Sequence, residues 1–173
     1  MVLCSKEGDM ERIGFDKLQL NPFDVIGKDN FLLTSGDMSR FNTMTAGWGG
    51  FGYLWNKPVV FVFVRESRYT LEFLDRFPTF SLSFFSYEYS KMLDYCGSHS
   101  GRNGNKAQET GLSPLSISNT VAFEESNLVI ACKKVSKILL DKTTLLDPSL
   151  LSHYPQGDYH YMYIGEIEGV YIN

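Results

Sequence analysis

Positive charge is in short supply in this sequence. Its 173 residues carry 16 lysines and arginines against 20 acids, a formal net charge of −4. Such a balance lacks the extended basic surface of nonspecific nucleic-acid binding, so nucleic acid is not expected as a partner. Cysteine is scarce as well. Cys4, Cys96 and Cys132 are odd in number, far apart and without a CxxC pair. That excludes a disulfide framework and the usual zinc spacings, and it suits free thiols in a reducing cytoplasm. The three histidines, His99, His153 and His160, lack metal-ligand spacing, and no motif pins one to a Ser or Cys nucleophile. No metal site is expected. No paired carboxylates suggest glycoside hydrolysis. No apolar run approaches the ~20 residues of a membrane helix. The opening "MVLCSKEGDMERIGF" has neither a basic n-region nor a long apolar core, so no secretory leader is expected. No GxGxxG follows a strand and no P-loop is present, which argues against the two commonest nucleotide-binding folds.

Aromatic residues and strand signals are plentiful. The chain holds 13 Phe and 10 Tyr, residues that favour strands. Strands are expected over 31–36, 41–48, 58–64, 79–85, 127–140 and 161–172. "PVVFVFV" is apolar on both faces and should be central, whereas "TFSLSFF" alternates hydroxyls with large apolar residues and should have one wet face. Helices are few and short. "YTLEFLDRF" spaces Tyr69, Phe73 and Phe77 four apart before Pro78, and "EYSKMLDYCG" places Tyr89, Met92, Leu93 and Cys96 on one face with Gly97 expected just past its end. "NKAQETGLSP" gives one or two turns, and Asp147 and Pro148 start another helix. Many strands without regular β-α alternation imply a mainly antiparallel barrel or sandwich, in one domain over 1–173.

Two stretches look built to hold an anion. "RESRYT", from Arg65 to Thr70, follows the central apolar strand. If Ser67 to Thr70 form a first helical turn, free backbone N–H groups stand beside hydroxyls, at a helix end that favours phosphate. Arg65 or Arg68 would add a bidentate fork, and Ser67 or Thr70 a hydroxyl. Taken alone, the stretch is more economically read as a helix cap with an Arg–Glu66 surface pair. "SHSGRNGNK" repeats the chemistry: Ser98, Ser100, Arg102 and Lys106 supply donors, while Gly97, Gly101 and Gly104 let backbone approach closely. Two such stretches in one acidic chain favour a shared anion. A third element, "NTMTAGWGGFGYLWNKP", is an extended strand with Asn42, Met44, Ala46 and Trp48 on one side and a bare glycine-rich end. Such a strand suits the edge of a planar heterocycle; the alternative is a strand ending in a glycine bend, with Trp48 and Trp55 in the core.

In order and spacing these segments resemble the flavin reductase-like family of FMN-binding split barrels, closest to its flavoredoxin branch. The N-x-M-T-x-x-W strand is Asn42, Met44, Thr45 and Trp48; the W-x-x-P turn is Trp55 and Pro58; the phosphate turn is Arg65, Arg68, Tyr69 and Thr70. The later C-G-x-x-S-G-R-x-x-x-K segment is Cys96, Gly97, Ser100, Gly101, Arg102 and Lys106, and "GDYHYMYIGEIEGV" is similar to the closing strand. The resemblance spans roughly residues 20–172, which leaves residues 1–20 as an N-terminal extension. It implies a mainly β, Greek-key split barrel with a few short helices, a homodimer, and noncovalent FMN. The ring would lie against Asn42, Thr43, Met44, Thr45 and Trp48. The phosphate would be held by Arg65, Ser67, Arg68, Tyr69, Thr70, Ser98, Ser100, Gly101, Arg102 and Lys106. His160 is the candidate beside a nicotinamide. The expected activity is NAD(P)H-dependent flavin reduction or flavoredoxin-type electron transfer, with NADH, NADPH or a redox protein as partner. The alternatives are a non-enzymatic flavin-binding or storage module, and a split barrel for another phosphorylated small molecule.

Overall fold

Two strands of 13 residues each form the spine of the sheet. The computed structural model describes residues 6–7 and 10–173, so Cys4 lies outside the described residues. In chain order the elements are β1 (Lys6–Glu7), β2 (Met10–Ile13), α1 (Pro22–Val25), β3 (Phe31–Asp37), β4 (Arg40–Ala46), β5 (Gly49–Leu54) and β6 (Lys57–Arg65). They continue as α2 (Thr70–Arg76), β7 (Thr79–Phe84), α3 (Ser90–Ser98), α4 (Lys106–Thr110), β8 (Pro114–Ile117), β9 (Thr120–Phe123), β10 (Leu128–Leu140) and β11 (His160–Ile172). Short 3-10 turns at Phe15–Lys17, Tyr87–Tyr89 and Pro148–His153 complete the set.

The main sheet runs β1-β2-β11-β10-β7-β3-β4, with β6 on β11 and β5 on β6. One edge of β11 serves two partners: β6 along His160–Glu166 and β2 along Val170–Ile172. β10 pairs with all of β11, and register breaks at Ala131/Cys132 and Lys134/Ser136 mark bulges that bend the pair. The result is a mainly β split barrel. The largest of three buried apolar clusters includes Phe31, Leu33, Met44, Val62, Phe80, Ile130 and Tyr163. Residues 10–13 of the expected N-terminal extension form a strand that pairs with β11. Among the described residues no helix is long and apolar enough to cross a membrane.

Four local expectations are corrected. β7 has no wet face, because β9 covers it: Thr79 Oγ1 donates to the Asn119 carbonyl (2.7 Å) and Ser81 Oγ to that of Val121. The glycine-rich segment after Trp48 is a strand, β5, joined to β6 by a two-residue turn with positive φ at Trp55 (52°) and Asn56 (57°). That hairpin leaves Trp48 and Trp55 outside the core, 47% and 58% exposed. The residues from Asp147 form a 3-10 turn rather than an α-helix. Gly97 lies inside α3 rather than after it. A Cβ there would sit 3.3 Å from Thr45 Cβ, so glycine lets α3 lie flat on β4.

Candidate functional site

β4 is the last strand of its sheet, so among the described residues one of its edges has no strand partner. Along this edge lies a line of recesses that share residues. The first, of about 130 Å3, is bounded by Asn42, Arg68, Thr70, Ser98, Ser100 and Lys106. The second, about 160 Å3, lies between Met44–Trp48 of the chain and Phe63, Arg65, Arg68 and His160. The third, about 420 Å3, is apolar and bounded by Phe23, Ile26, Phe63, Trp48 and Leu140. Met44 and Arg68 join the first two, and Gly47, Trp48 and Phe63 join the last two. The groove is therefore polar and cationic at one end, apolar and aromatic at the other.

The cationic end is assembled from three segments. β6 delivers Arg65 to the rim, and the turn after it leads into α2 at Thr70, whose Oγ1 accepts a hydrogen bond from Asn42 Nδ2 (2.8 Å). That bond ties the phosphate-type turn to β4. Arg68 Nη1 donates to the Gly97 carbonyl (3.0 Å), while Lys106 Nζ donates to the carbonyls of Cys96 (2.8 Å) and His99 (3.1 Å). Both cations thus sit at the C-terminal end of α3, where unpaired carbonyls accumulate partial negative charge. Arg65 donates to the carbonyls of Asp158 (3.0 Å) and His153 (3.1 Å), with its guanidinium over the Tyr154 ring at 5.3 Å.

None of the three has a carboxylate within ion-pair distance among the described residues. For Lys106 this matters most. It is 5% exposed, and burial pulls its ammonium below the usual lysine pKa, with Arg68 acting in the same direction. An ammonium has three N–H donors, so two carbonyls leave one free. A buried cation is costly unless paired, and an anion in this recess would complete it.

His160 occupies the junction of cationic and aromatic ends. It faces Arg65 across the β6–β11 ladder, its Nδ1 lies 2.9 Å from the Tyr154 hydroxyl, and its ring is 4.9 Å from that of Trp48. Burial, reinforced by Arg65, pushes its pKa down to about 4, so the imidazole is neutral near pH 7.

The expected residues are mostly brought together. Asn42, Met44, Thr45, Trp48, Arg65, Ser67, Arg68, Tyr69, Thr70, Ser98, Ser100, Lys106 and His160 all line the first two recesses. Their hydroxyls are less free than the residue types suggest. Ser67 Oγ and N both donate to Asp158 (2.6 and 2.9 Å), and Ser98 Oγ donates to the Asp94 carbonyl (2.8 Å). Thr43 is turned away, 2.8 Å from Thr34 Oγ1. Gly101 and Arg102 border the next recess along β4, and Arg102 Nη2 pairs with Glu72 Oε1 (2.6 Å). Sequence reasoning missed Asp158 and Tyr154, which orient Ser67 and His160. Their signal is the segment "YPQGDYHY", of which only His160 is a candidate from the sequence.

The model of the flavin reductase like domain matches residues 26–173. No curated protein sequence matches. Among solved structures the chain is similar to the flavoredoxin of Desulfovibrio vulgaris (Miyazaki F), at 25% identity and TM-score 0.66 over 83% of this chain and 69% of that one. It is similar in fold to the flavoredoxin of Methanosarcina acetivorans (24% identity, TM-score 0.66, 91% and 75% covered). The same holds for an FMN-binding domain of flavin reductases-like enzyme from Shewanella baltica OS155 (15%, 0.67, 97% and 79%). With the motif order, the split barrel and the family match in agreement, the chain belongs to the flavin reductase-like family.

Proposed function

We propose that this protein is an FMN-binding oxidoreductase that passes electrons between NAD(P)H or a redox protein and a small acceptor. The observation that carries the reading is the trio of cations Arg65, Arg68 and Lys106. All three are oriented by carbonyl oxygens and, among the described residues, none is neutralised by a carboxylate, at the polar end of a groove whose other end is aromatic. A phosphate monoester carries roughly −1.5 to −2 charges and three acceptor oxygens, which fits this donor set. Ser100, Thr70 and the backbone around Gly101 would complete the cradle, and the Thr43–Trp48 strand would bind the ring edge. Bound FMN would supply the redox chemistry.

The chain's own residues bind and orient. His160, neutral and tethered to Tyr154, presents an uncharged ring nitrogen to the groove rather than a second cation, and Trp48 and Phe63 shield the ring end from water. An exposed aromatic surface around Trp48, Tyr53 (70% exposed) and Trp55 is where a second copy would pack to make a homodimer. Sedimentation velocity checks this. The two described cysteines, Cys96 and Cys132, are buried free thiols, which suits the cytoplasm.

A visible absorption spectrum of the purified protein tests cofactor binding, and colourless protein that stays colourless after FMN is added would reject it. Stopped-flow mixing with NADH and NADPH then tests the activity. Bleaching of the flavin band supports reduction by nicotinamide, and its absence with both leaves the redox protein as donor. Absence of any electron exchange would leave a storage module.

A further inference from the structure

His160 and Tyr154 share a hydrogen bond whose direction decides what the groove presents to a ligand. His160 opens β11, opposite Arg65 in the β6–β11 ladder, and is buried. Its ring lies 4.9 Å from that of Trp48, and the Tyr154 ring stands edge-on to it at 5.5 Å. It borders the recess where the cationic and aromatic ends of the groove meet. Among the described residues Nδ1 has one hydrogen-bond partner, the Tyr154 hydroxyl at 2.9 Å, and Nε2 has none.

Tyr154 is fixed at this spot although it lies between secondary-structure elements. Its N–H donates to the Leu151 carbonyl (2.9 Å), and its own carbonyl accepts from Gly157 N (3.1 Å). Arg65 covers its ring and donates to the carbonyls of His153 and Asp158 on either side of it, while the Tyr159 ring flanks it at 5.0 Å. A neutral imidazole carries one proton, and the bond made by one nitrogen selects which nitrogen holds it. If Nδ1–H donated to the phenol oxygen, the phenol proton would have no acceptor among the described residues. If the hydroxyl donates, that proton is satisfied. The stronger donor, a phenol O–H, then meets the stronger acceptor, an imidazole nitrogen. The second arrangement leaves the imidazole proton on Nε2.

We propose that Tyr154 is a positioning residue: its hydroxyl donates to Nδ1 of His160 and holds the ring in the Nε2–H form, so that a hydrogen-bond donor rather than a lone pair is available at the ring end of the groove. The proposal rests on the flavin reading above for the identity of the ligand, whereas the place of the proton is a property of the free protein. A donor at this position stabilises the negative charge that appears on a flavin ring when it is reduced.

Imidazole nitrogen NMR of the apo protein at pH 7, where the ring is neutral, reads the tautomer directly. His160→Asn assigns the signals among the three histidines. Wild-type His160 should be a single Nε2–H form. Tyr154→Phe keeps the ring beneath Arg65 and removes only the hydroxyl, and its His160 should become a mixture of both forms while far-UV circular dichroism stays that of the wild type. In the FMN-loaded protein, Tyr154→Phe should lower the preference for reduced over oxidised flavin about two- to fivefold, a midpoint potential roughly 10–20 mV more negative for a two-electron couple. In a His160→Asn background the same change should make no further difference, because Tyr154 acts through His160. A wild-type ring protonated on Nδ1 or present as a mixture overturns the proposal, as does a single Nε2–H form that survives in Tyr154→Phe. So does a potential that Tyr154→Phe leaves in place, or one that it shifts equally with and without His160. Failure to bind flavin sinks the flavin reading alone, since the spectrum of the free protein still decides the tautomer.

Discussion

Removing one guanidinium tests the phosphate end of the groove without dismantling the fold. In Arg68→Ala the protein loses a single described hydrogen bond, from Nη1 to the Gly97 carbonyl, at an exposed position. That costs about 0.5–1.5 kcal/mol of stability, well within what a domain of this size tolerates. The ligand loses more. A hydrogen bond to a charged group is worth about 1.5–3 kcal/mol, so FMN should bind about 10- to 150-fold more weakly. Riboflavin has the same ring and no phosphate, and its affinity should stay within about twofold. Calorimetric titration of both ligands into wild type and variant measures the contrast. Thermal melts give an independent check. FMN at 100 times its wild-type dissociation constant stabilises the folded state by about 2.7 kcal/mol, and a 100-fold weaker variant at that same concentration gains only about 0.4 kcal/mol. Equal weakening of both ligands would refute the assignment of Arg68 to the phosphate, as would FMN affinity that does not change.

Three further outcomes are expected. Because the folded His160 holds its pKa near 4 against 6.5 for the free side chain, the unfolded state binds more protons between these values, and stability is lost as pH falls through that window. The loss is about 3 kcal/mol at its fullest, so the stability difference between wild type and His160→Asn, from denaturant unfolding, should shrink by that order between pH 7 and 4; parallel pH profiles would contradict it. Gly101→Ala should drive the 101–106 loop off Asn42 and weaken FMN by more than about tenfold, while far-UV circular dichroism stays that of the wild type. Tyr163→Phe removes the bond from its buried hydroxyl to Asp75 Oδ1 (2.7 Å) on α2. It should cost about 1–3 kcal/mol in urea unfolding and leave flavin affinity alone, since Asp75 keeps Lys137 at 2.8 Å.

The sequence carried the long strands well, and the structure gathers most of the candidate site residues along one groove. β6 ends one residue after the expected run of valines and phenylalanines, and β4 and β11 begin one residue early. Those elements are legible because their apolar period is set by burial within one barrel. What was illegible depends on contacts between distant segments. β7 looked half wet because its hydroxyls are local, but the strand that covers them, β9, comes some 40 residues later. The glycines of β5 read as a bend because its partner, β6, and not its own side chains, holds it extended. The anion site followed the same rule. Arg65, Arg68 and Lys106 were visible as charge in the wrong place, whereas Asp158 looked like any surface acid.

Asp158 is what makes the cradle coherent. An acid this close to several cations would ordinarily pair with one of them and cancel the site. Instead its carboxylate accepts from Ser67 N and Ser67 Oγ, pinning the turn between β6 and α2, while only its backbone carbonyl accepts from Arg65. The helix end of α3 treats Arg68 and Lys106 in the same way, offering carbonyls and no carboxylate. Carbonyl oxygens fix the direction of a cation and leave its net charge in place; a carboxylate would remove that charge from play. Neutral His160 at the neighbouring junction keeps the positive potential concentrated on this end of the groove. In a chain of net charge −4, that arrangement would draw an anion to this end of the groove, and in the proposed reading the rest of the ligand would then lie along the edge of β4 toward Trp48.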